Sequence, residues 1–389
     1  MFQKYVFPII IFALSTAIFL YSPLLSQSFH PNKTQSQYFV SAKVENIIDE
    51  NVFEDDLAPG IYRGTQHLKI KVLEGEHANE TVEINNPLSR QHNVLLDKGS
   101  EFILMIRETI HGSHFWAFNH QRTTPIYTMA AVFIGLILFF GGRAGLNAVI
   151  SLYFTAALII GVLIPAIFDG INPALVTIEL MAIKIVVNFI LVSGYNKKSL
   201  CAILGTLVGV IMAGIFAQTF GEWAHLSGIY LDKGEDVIYL ATENPIQVRW
   251  LMFVTIMIAA LGAVMDVAIS IASSYQELQQ ANPKLTPKQL MLASMNIGKD
   301  IMGTMTNTLI LAFAGSSLTT IMMVWGLSMP VEQFMNTPVI ALSIIHGLAG
   351  SIGIVLTIPF TAFIASKIFN HQNNEEPVIN ANVNNALDK

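Results

Sequence analysis

Two stretches decide the fold: residues 250–274, WLMFVTIMIAALGAVMDVAISIASS, and residues 301–324, IMGTMTNTLILAFAGSSLTTIMMV. Each exceeds the roughly 20 apolar residues that a helix needs to cross a bilayer. The first carries a single carboxylate, Asp266. The second follows NIGKD (296–300), which puts Asp300 at its entrance and Asn307 inside it. Ionisable groups within such runs are functional-site hypotheses, because lipid penalises them.

The rest of the chain agrees with a membrane reading. Of 389 residues, 53% are hydrophobic and only 12% charged, where a soluble domain has about 25% charged. The net charge of −6 without a Lys/Arg cluster excludes a nucleic-acid-binding face. Cys201 is the one cysteine, so no intramolecular disulfide forms. The 16 methionines read as filler in irregular helix packing.

Working outward, the apolar segments are 5–25, 125–140, 146–167, 173–193, 200–219, 250–273, 301–324 and 338–366, about eight transmembrane helices. The first follows Lys4 and reads as an uncleaved anchor; a signal peptide cut near Ser26-Gln27-Ser28 is the alternative. Positive residues favour alternate loops, Arg143, then Lys197 and Lys198, then Lys284, Lys288 and Lys299, then Lys367, against only Lys233 and Arg249 on the membrane loops between. By the positive-inside rule both termini are cytoplasmic and residues 26–122 extracytoplasmic. The plan is an anchor (1–25), an outer domain (26–122), a seven-helix membrane domain (123–366) and a polar, Asn-rich tail (367–389).

The outer domain is strand-patterned. Tyr38–Ile48 alternates loosely, and Leu68, Ile70 and Val72 share one face of 66–73. Thr81–Ile84 continues the pattern before a turn at Asn85-Asn86-Pro87, and 101–107 and 115–118 add two strands. Such patterning predicts a small all-β domain, an OB-like barrel or a sandwich. Seven of the ten histidines lie here, with His111 and His114 spaced as H-x-x-H and His120 following. Solvated loop histidines explain them without zinc, which needs three or four ligands. Asn32 and Asn79 head Asn-x-Thr sequons. In the inside loop, Thr286-Pro287-Lys288-Gln289 spells a capping box, predicting a short surface helix over Leu290–Asn296 that Gly298 ends.

The runs GGRAGL (141–146), GAVMDVAISIASS (262–274) and NIGKDIMGTMTNTLILAFAG (296–315) resemble the YibE/F family of bacterial multi-pass membrane proteins, over roughly 120–366. Lys299 stands where Arg is expected and Phe313 where Tyr is usual. The resemblance implies the bacterial cell membrane and a permease label, without an agreed substrate or active site. It also implies a related membrane protein as partner, beside the lipid bilayer.

Residues three and four apart share a helix face. Asp266 and Ser270 make one polar stripe; Asp300, Thr304 and Asn307 make another. The two helices are antiparallel neighbours, so the stripes are expected to face each other and suit a proton or a hard cation. Capping of the following helix is an equal explanation of Asp300, and an interhelical hydrogen bond or ion pair of Asp266. Lys184, near the middle of 173–193, costs about 2.5–3.5 kcal/mol on insertion scales. Asn188 shares its face, Glu179 does not; Asp266, or Glu179 of a second copy, are its candidate partners. His346 lies on a small polar face of the last helix with Ser343 and is either titratable or a packing histidine. Gly205, Gly209, Ala213 and Ala217 repeat every four residues, a close-packing face. No phosphate loop, H-E-x-x-H motif or Cys–His pairing appears, so neither an enzyme nor a cofactor is expected. The leading expectation is a permease or transporter subunit for an ion or small solute. A membrane scaffold or sensor whose outer domain binds an envelope protein or peptide is the alternative.

Overall fold

The computed structural model describes residues 6–25, 37–110 and 112–370. Lys4, Ser26–Ser28, His30, the Asn32 sequon, His111 and the tail from His371 lie outside them. The chain forms two compact units, residues 30–139 and residues 1–29 with 140–389.

The first unit holds β1 (Gln37–Glu54), β2 (Tyr62–Val72), β3 (Thr81–Leu88), β4 (Glu101–Thr109) and β5 (Gly112–His120) in one antiparallel sheet, order β3-β2-β1-β4-β5. Period-2 alternation sends Leu68, Ile70 and Val72 from β2, and Phe102, Leu104 and Ile106 from β4, into one core with Ala42 and Val44. Register shifts between Val44 and Asn46 and between Ile47 and Asp49 bend the long β1. The sheet curls until its edge strands β3 and β5 touch. It is a single curled sheet, so the sandwich alternative is not what forms.

The turn expected at Asn85-Asn86-Pro87 is instead strand. β3 runs through it to Leu88, with Pro87 opposite Thr65. Proline is tolerated because β3 is an edge strand, and the pleat turns Asn86 inward. Its Nδ2 donates to Gln66 Oε1 (3.1 Å) and to the Val94 carbonyl (2.7 Å). Gln66 in turn donates to the Leu96 carbonyl (3.0 Å) and accepts from the Leu96 N–H (3.1 Å). These bonds staple the segment after β3 to the sheet. Asp55 does the same at the end of β1. It accepts from Arg90 Nε and Nη2, both at 2.9 Å, and from the Leu57 N–H at 2.9 Å. The Arg90 hydrogen bonds hold its carboxyl below the usual carboxylate range.

The second unit is helical, and the helix that begins it starts in the first. Thr123–Phe168, Pro173–Ser193, Lys197–Trp223, Val248–Ala281 and Pro338–Phe369 are long and apolar enough to cross a membrane. A sixth span results if Pro287–Ser316 and Leu318–Gly326, bent by 60°, count as one. Where eight were expected, the described residues hold five such spans, or six. The apolar part of α1 (Phe7–Leu25) covers only Phe7–Ser22, short of a span. Segments 125–140 and 146–167 run together through α2 (Thr123–Leu158), a π-helical turn (Ile159–Leu163) and α3 (Ile164–Phe168). Their one interruption is Gly142, whose φ of 51° and ψ of −121° no helix contains. α1 packs on the π-helical turn, where Ile18 meets Gly161, and Phe12 and Phe19 flank Tyr153.

Helices α4 (Pro173–Ser193), α5 (Lys197–Trp223), α7 (Leu251–Ala281), α8 (Pro287–Ser316) and α11 (Pro338–Asn370) build the core. The Gly205/Gly209/Ala213 face of α5 lies directly against α11: a methyl group on Gly205 would strike Thr361, and one on Gly209 would strike Thr357. Small residues let the two backbones approach.

The Thr286–Gln289 capping box forms, but the short surface helix does not. α8 continues without a break from Pro287 to Ser316. Gly298 does not end it. It is a packing residue, where a methyl group would lie 2.5 Å from Ile358 and 2.6 Å from Ile271. Asp300 consequently sits in mid-helix and caps nothing.

Candidate functional site

The backbone break that matters lies at the other end of α8. Its last turn closes with the Ser317 N–H on the Phe313 carbonyl at 3.1 Å, and α9 (Leu318–Gly326) leaves at 60°. A helix that stops inside a span leaves its last carbonyls without intrahelical partners and presents the negative end of its dipole. Beside this break is a cavity of 790 Å³. One wall is Phe313, Ser316, Ser317, Thr319 and Thr320; a second is Val339, Leu342, Ser343 and His346 of α11; the third is the loop 229–236.

Two glycines fix that loop. Gly228, in a 3-10 turn with Ile229 and Tyr230, and Gly234, first residue of α6 (Gly234–Glu243), have no room for a side chain against the backbone of Val248 and Ile229. The loop presents Asp232, Lys233, Glu235 and Asp236 to the cavity, with Lys233 paired to Asp236 at 3.6 Å.

His346 lies opposite, only 7% exposed, edge-on to Phe313 at 5.8 Å between ring centres. Its Nε2 is buried and has no hydrogen-bond partner. Next to it Ser317 donates to Ser343 Oγ (3.0 Å), and Ser343 donates to the Val339 carbonyl (3.0 Å). An apolar groove of 210 Å³ adjoins, sharing Phe313, Ser317, Thr320, Val339 and Ser343.

The residues singled out from sequence are dispersed by comparison. Lys184 is half-buried on α4, donates to Met265 Sδ at 3.1 Å and lies near enough to Asp266 for the charges to attract. No ion pair within 4.0 Å joins them among the described residues. Asn188 accepts from Ser151, and with Asn147 donating to the Leu191 carbonyl (2.8 Å) it ties α4 to α2. Glu179 is exposed on α4.

The polar stripes of α7 and α8 do not face each other. Gly298 marks the face of α8 packed on α7 and α11. At ~100° per residue, Asp300, Thr304 and Asn307 lie about 160°, 120° and 180° from it, and all three are exposed. Asp266 is exposed as well, about 140° from Ile271, which meets α8. Ser270 and Thr304 bond only within their own helices, to the carbonyls of Asp266 (2.7 Å) and Ile301 (2.9 Å).

In the β unit, His77 bonds Glu80 (2.8 Å), His67 lies 3.7 Å from Glu83 and His114 stacks on Trp116. Among the described residues no three His, Cys, Asp or Glu side chains are grouped to hold a metal ion.

Sequence reasoning named His346 and Ser343 but not the loop opposite them, and it looked for a helix end at Gly298. The signal it passed over is Gly315-Ser316-Ser317, small and hydroxylic in the middle of an apolar run.

Residues 129–371 match the family described as YibE/F-like protein, more than half of the 389-residue chain. No curated protein and no solved structure matches.

Proposed function

The chain belongs to the YibE/F family, and from that premise we propose that it is a permease, or a transporter subunit, moving an ion or small solute across the bacterial cell membrane. The observation that carries this reading is the broken span at Ser317, beside a cavity into which a buried, unpartnered His346 is set. Irregular backbone at membrane depth is tolerated where it lines a cavity, and transporters put solute sites at such breaks.

The topology follows from length. A straight helix over Thr123–Phe168 would be about 69 Å long, more than twice the ~30 Å hydrocarbon core. We read Gly142 as the turn between two crossings and α1 as an anchor, which restores alternation with Arg143 inside. Both termini are then cytoplasmic, and residues 26–122 and the loop 229–236 are extracytoplasmic. Asp266 and Lys184, with Asp300 and Asn307 nearer the cytoplasm, would line or gate the remaining path.

A second reading, a scaffold or sensor, draws on one observation: Phe39 and Phe118 pack with ring centres 4.7 Å apart and planes tilted by 60°, each about half-exposed on the β unit. Ion and small-metabolite contents separate the two. They are compared in cells lacking the protein and in cells restored with the intact chain, with His346→Phe or with the Asp266→Asn, Asp300→Asn pair. One solute restored only by the intact chain supports transport. Unchanged contents throughout, with another phenotype lost on deleting residues 37–120, favour the scaffold.

A further inference from the structure

Resting on the reading of this cavity as a solute site, we propose that its ligand is a small organic ammonium ion, a protonated primary amine with an apolar body. Charge sets the sign. The lining carries Asp232, Glu235 and Asp236 against Lys233, three negative charges and one positive. The C-terminal end of α8 adds negative potential, which the N-terminus of α9 at the same break partly offsets. The carboxylates repel an anion.

Hydrogen-bond inventory sets the class. The Ser317 and Ser343 hydroxyl protons are already given to Ser343 Oγ and to the Val339 carbonyl. At this pair what remains is acceptor capacity: the lone pairs of the two hydroxyls, beside the carbonyls at the end of α8. An ammonium group has three N–H donors and no acceptor, and it supplies the partner that His346 Nε2 lacks. A quaternary ammonium has no N–H to give.

Size argues against a bare metal ion. At ~30 Å³ per water the 790 Å³ cavity has room for on the order of 25 waters, so it does not close around a dehydrated ion. The Phe313 ring beside His346 suits an adjacent cation. The adjoining apolar groove, with Phe313 and Val339 common to both, receives the alkyl part.

The test uses the purified full chain in detergent, followed through thermal unfolding by intrinsic fluorescence. n-Butylamine hydrochloride is the probe; n-butanol, sodium butyrate and potassium chloride are its neutral, anionic and inorganic matches. Only the amine is expected to raise Tm. His346→Phe is expected to weaken its half-saturation by roughly tenfold or more, the worth of a hydrogen bond to a charged group. Asp232→Asn, Glu235→Gln, Asp236→Asn together, all on the rim, are expected to weaken it about threefold. No response to the amine, an equal response to butanol or potassium chloride, or unchanged affinity in the variants overturns the proposal. If His346→Phe does not fold, the rim variant decides alone. Because binding is read without a membrane, its failure leaves solute contents to judge transport. Amine binding without any change in solute contents would instead remove transport and keep the site.

Discussion

In the β unit Gln66 and Asp55 are sealed from water and held from several sides, and Asn86 is missing a partner only at Oδ1. In the membrane unit His346, Thr206 and Thr361 are as deeply buried, and His346 Nε2 and both threonine hydroxyls meet no partner. A small sheet cannot build a large apolar core, and it recruits satisfied polar bonds to pin its loops. The helical unit draws its cohesion from backbone-close packing at Gly205, Gly209, Gly298 and Gly353. Polar groups are staples in the β unit, and in the helical unit Asn147 and Asn188 tie α4 to α2 in the same way. His346 is spare, which is why its use is sought in a ligand.

The contrast is broken most easily at the packing glycines. Gly209→Leu drives a side chain into Thr357 and the Gly353 backbone. A loss of about 3 kcal/mol or more is expected, seen as disappearance of monodisperse protein on size exclusion in detergent. A normally folded variant would refute cohesion by close packing.

Asn86→Ala comes next. It strips the Val94 carbonyl and Gln66 of a buried donor, at a cost of about 1–3 kcal/mol. Hydrogen exchange should rise in residues 89–96 while the helices keep their protection.

Asp55→Ala removes the anchor of Arg90 and lowers the melting temperature of the β unit. The wild-type contribution has a defined pH sense. The folded carboxyl titrates below its ordinary value of 3.8, so the stabilisation is complete above the unfolded value and fades as pH falls through the lower folded one. The variant and wild-type melting curves should converge in strong acid; a constant gap would show that Asp55 acts other than as a carboxylate.

The smallest stability effect is expected at His346. His346→Phe keeps a ring against Phe313 and gives up an unbonded nitrogen, so unfolding should change by less than about 1 kcal/mol. A large loss would make the histidine a structural residue and erase the contrast.

The β strands were legible because one buried face imposes period 2, as at Leu68, Ile70 and Val72. Pro87 misled because proline forbids a central strand but not an edge one, and edge position is a long-range fact. The membrane class was legible from segment hydropathy, and the Thr286 cap from local chemistry. The length of α8 was not. Gly298 carries the same letter whether it ends a helix or admits Ile271 and Ile358. Stripe direction was also hidden, since Asp300 and Asn307 share a face in sequence but which face packs is fixed by other helices. The candidate cavity draws on loop 229–236, residues 313–320 and residues 339–346, pieces brought together only by the packing of α8 and α11.

The central claim is that the cavity beside Ser317 is wet and negative, within a unit otherwise closed by packing. It is tested by placing a thiol at Ser343 in a Cys201→Ala background and treating sealed, oriented vesicles with membrane-impermeant methanethiosulfonates, one cationic and one anionic. The account predicts labelling from the extracytoplasmic side, faster with the cationic reagent. Labelling no faster than at a thiol placed on exposed Leu348, or equal rates for the two reagents, would contradict it.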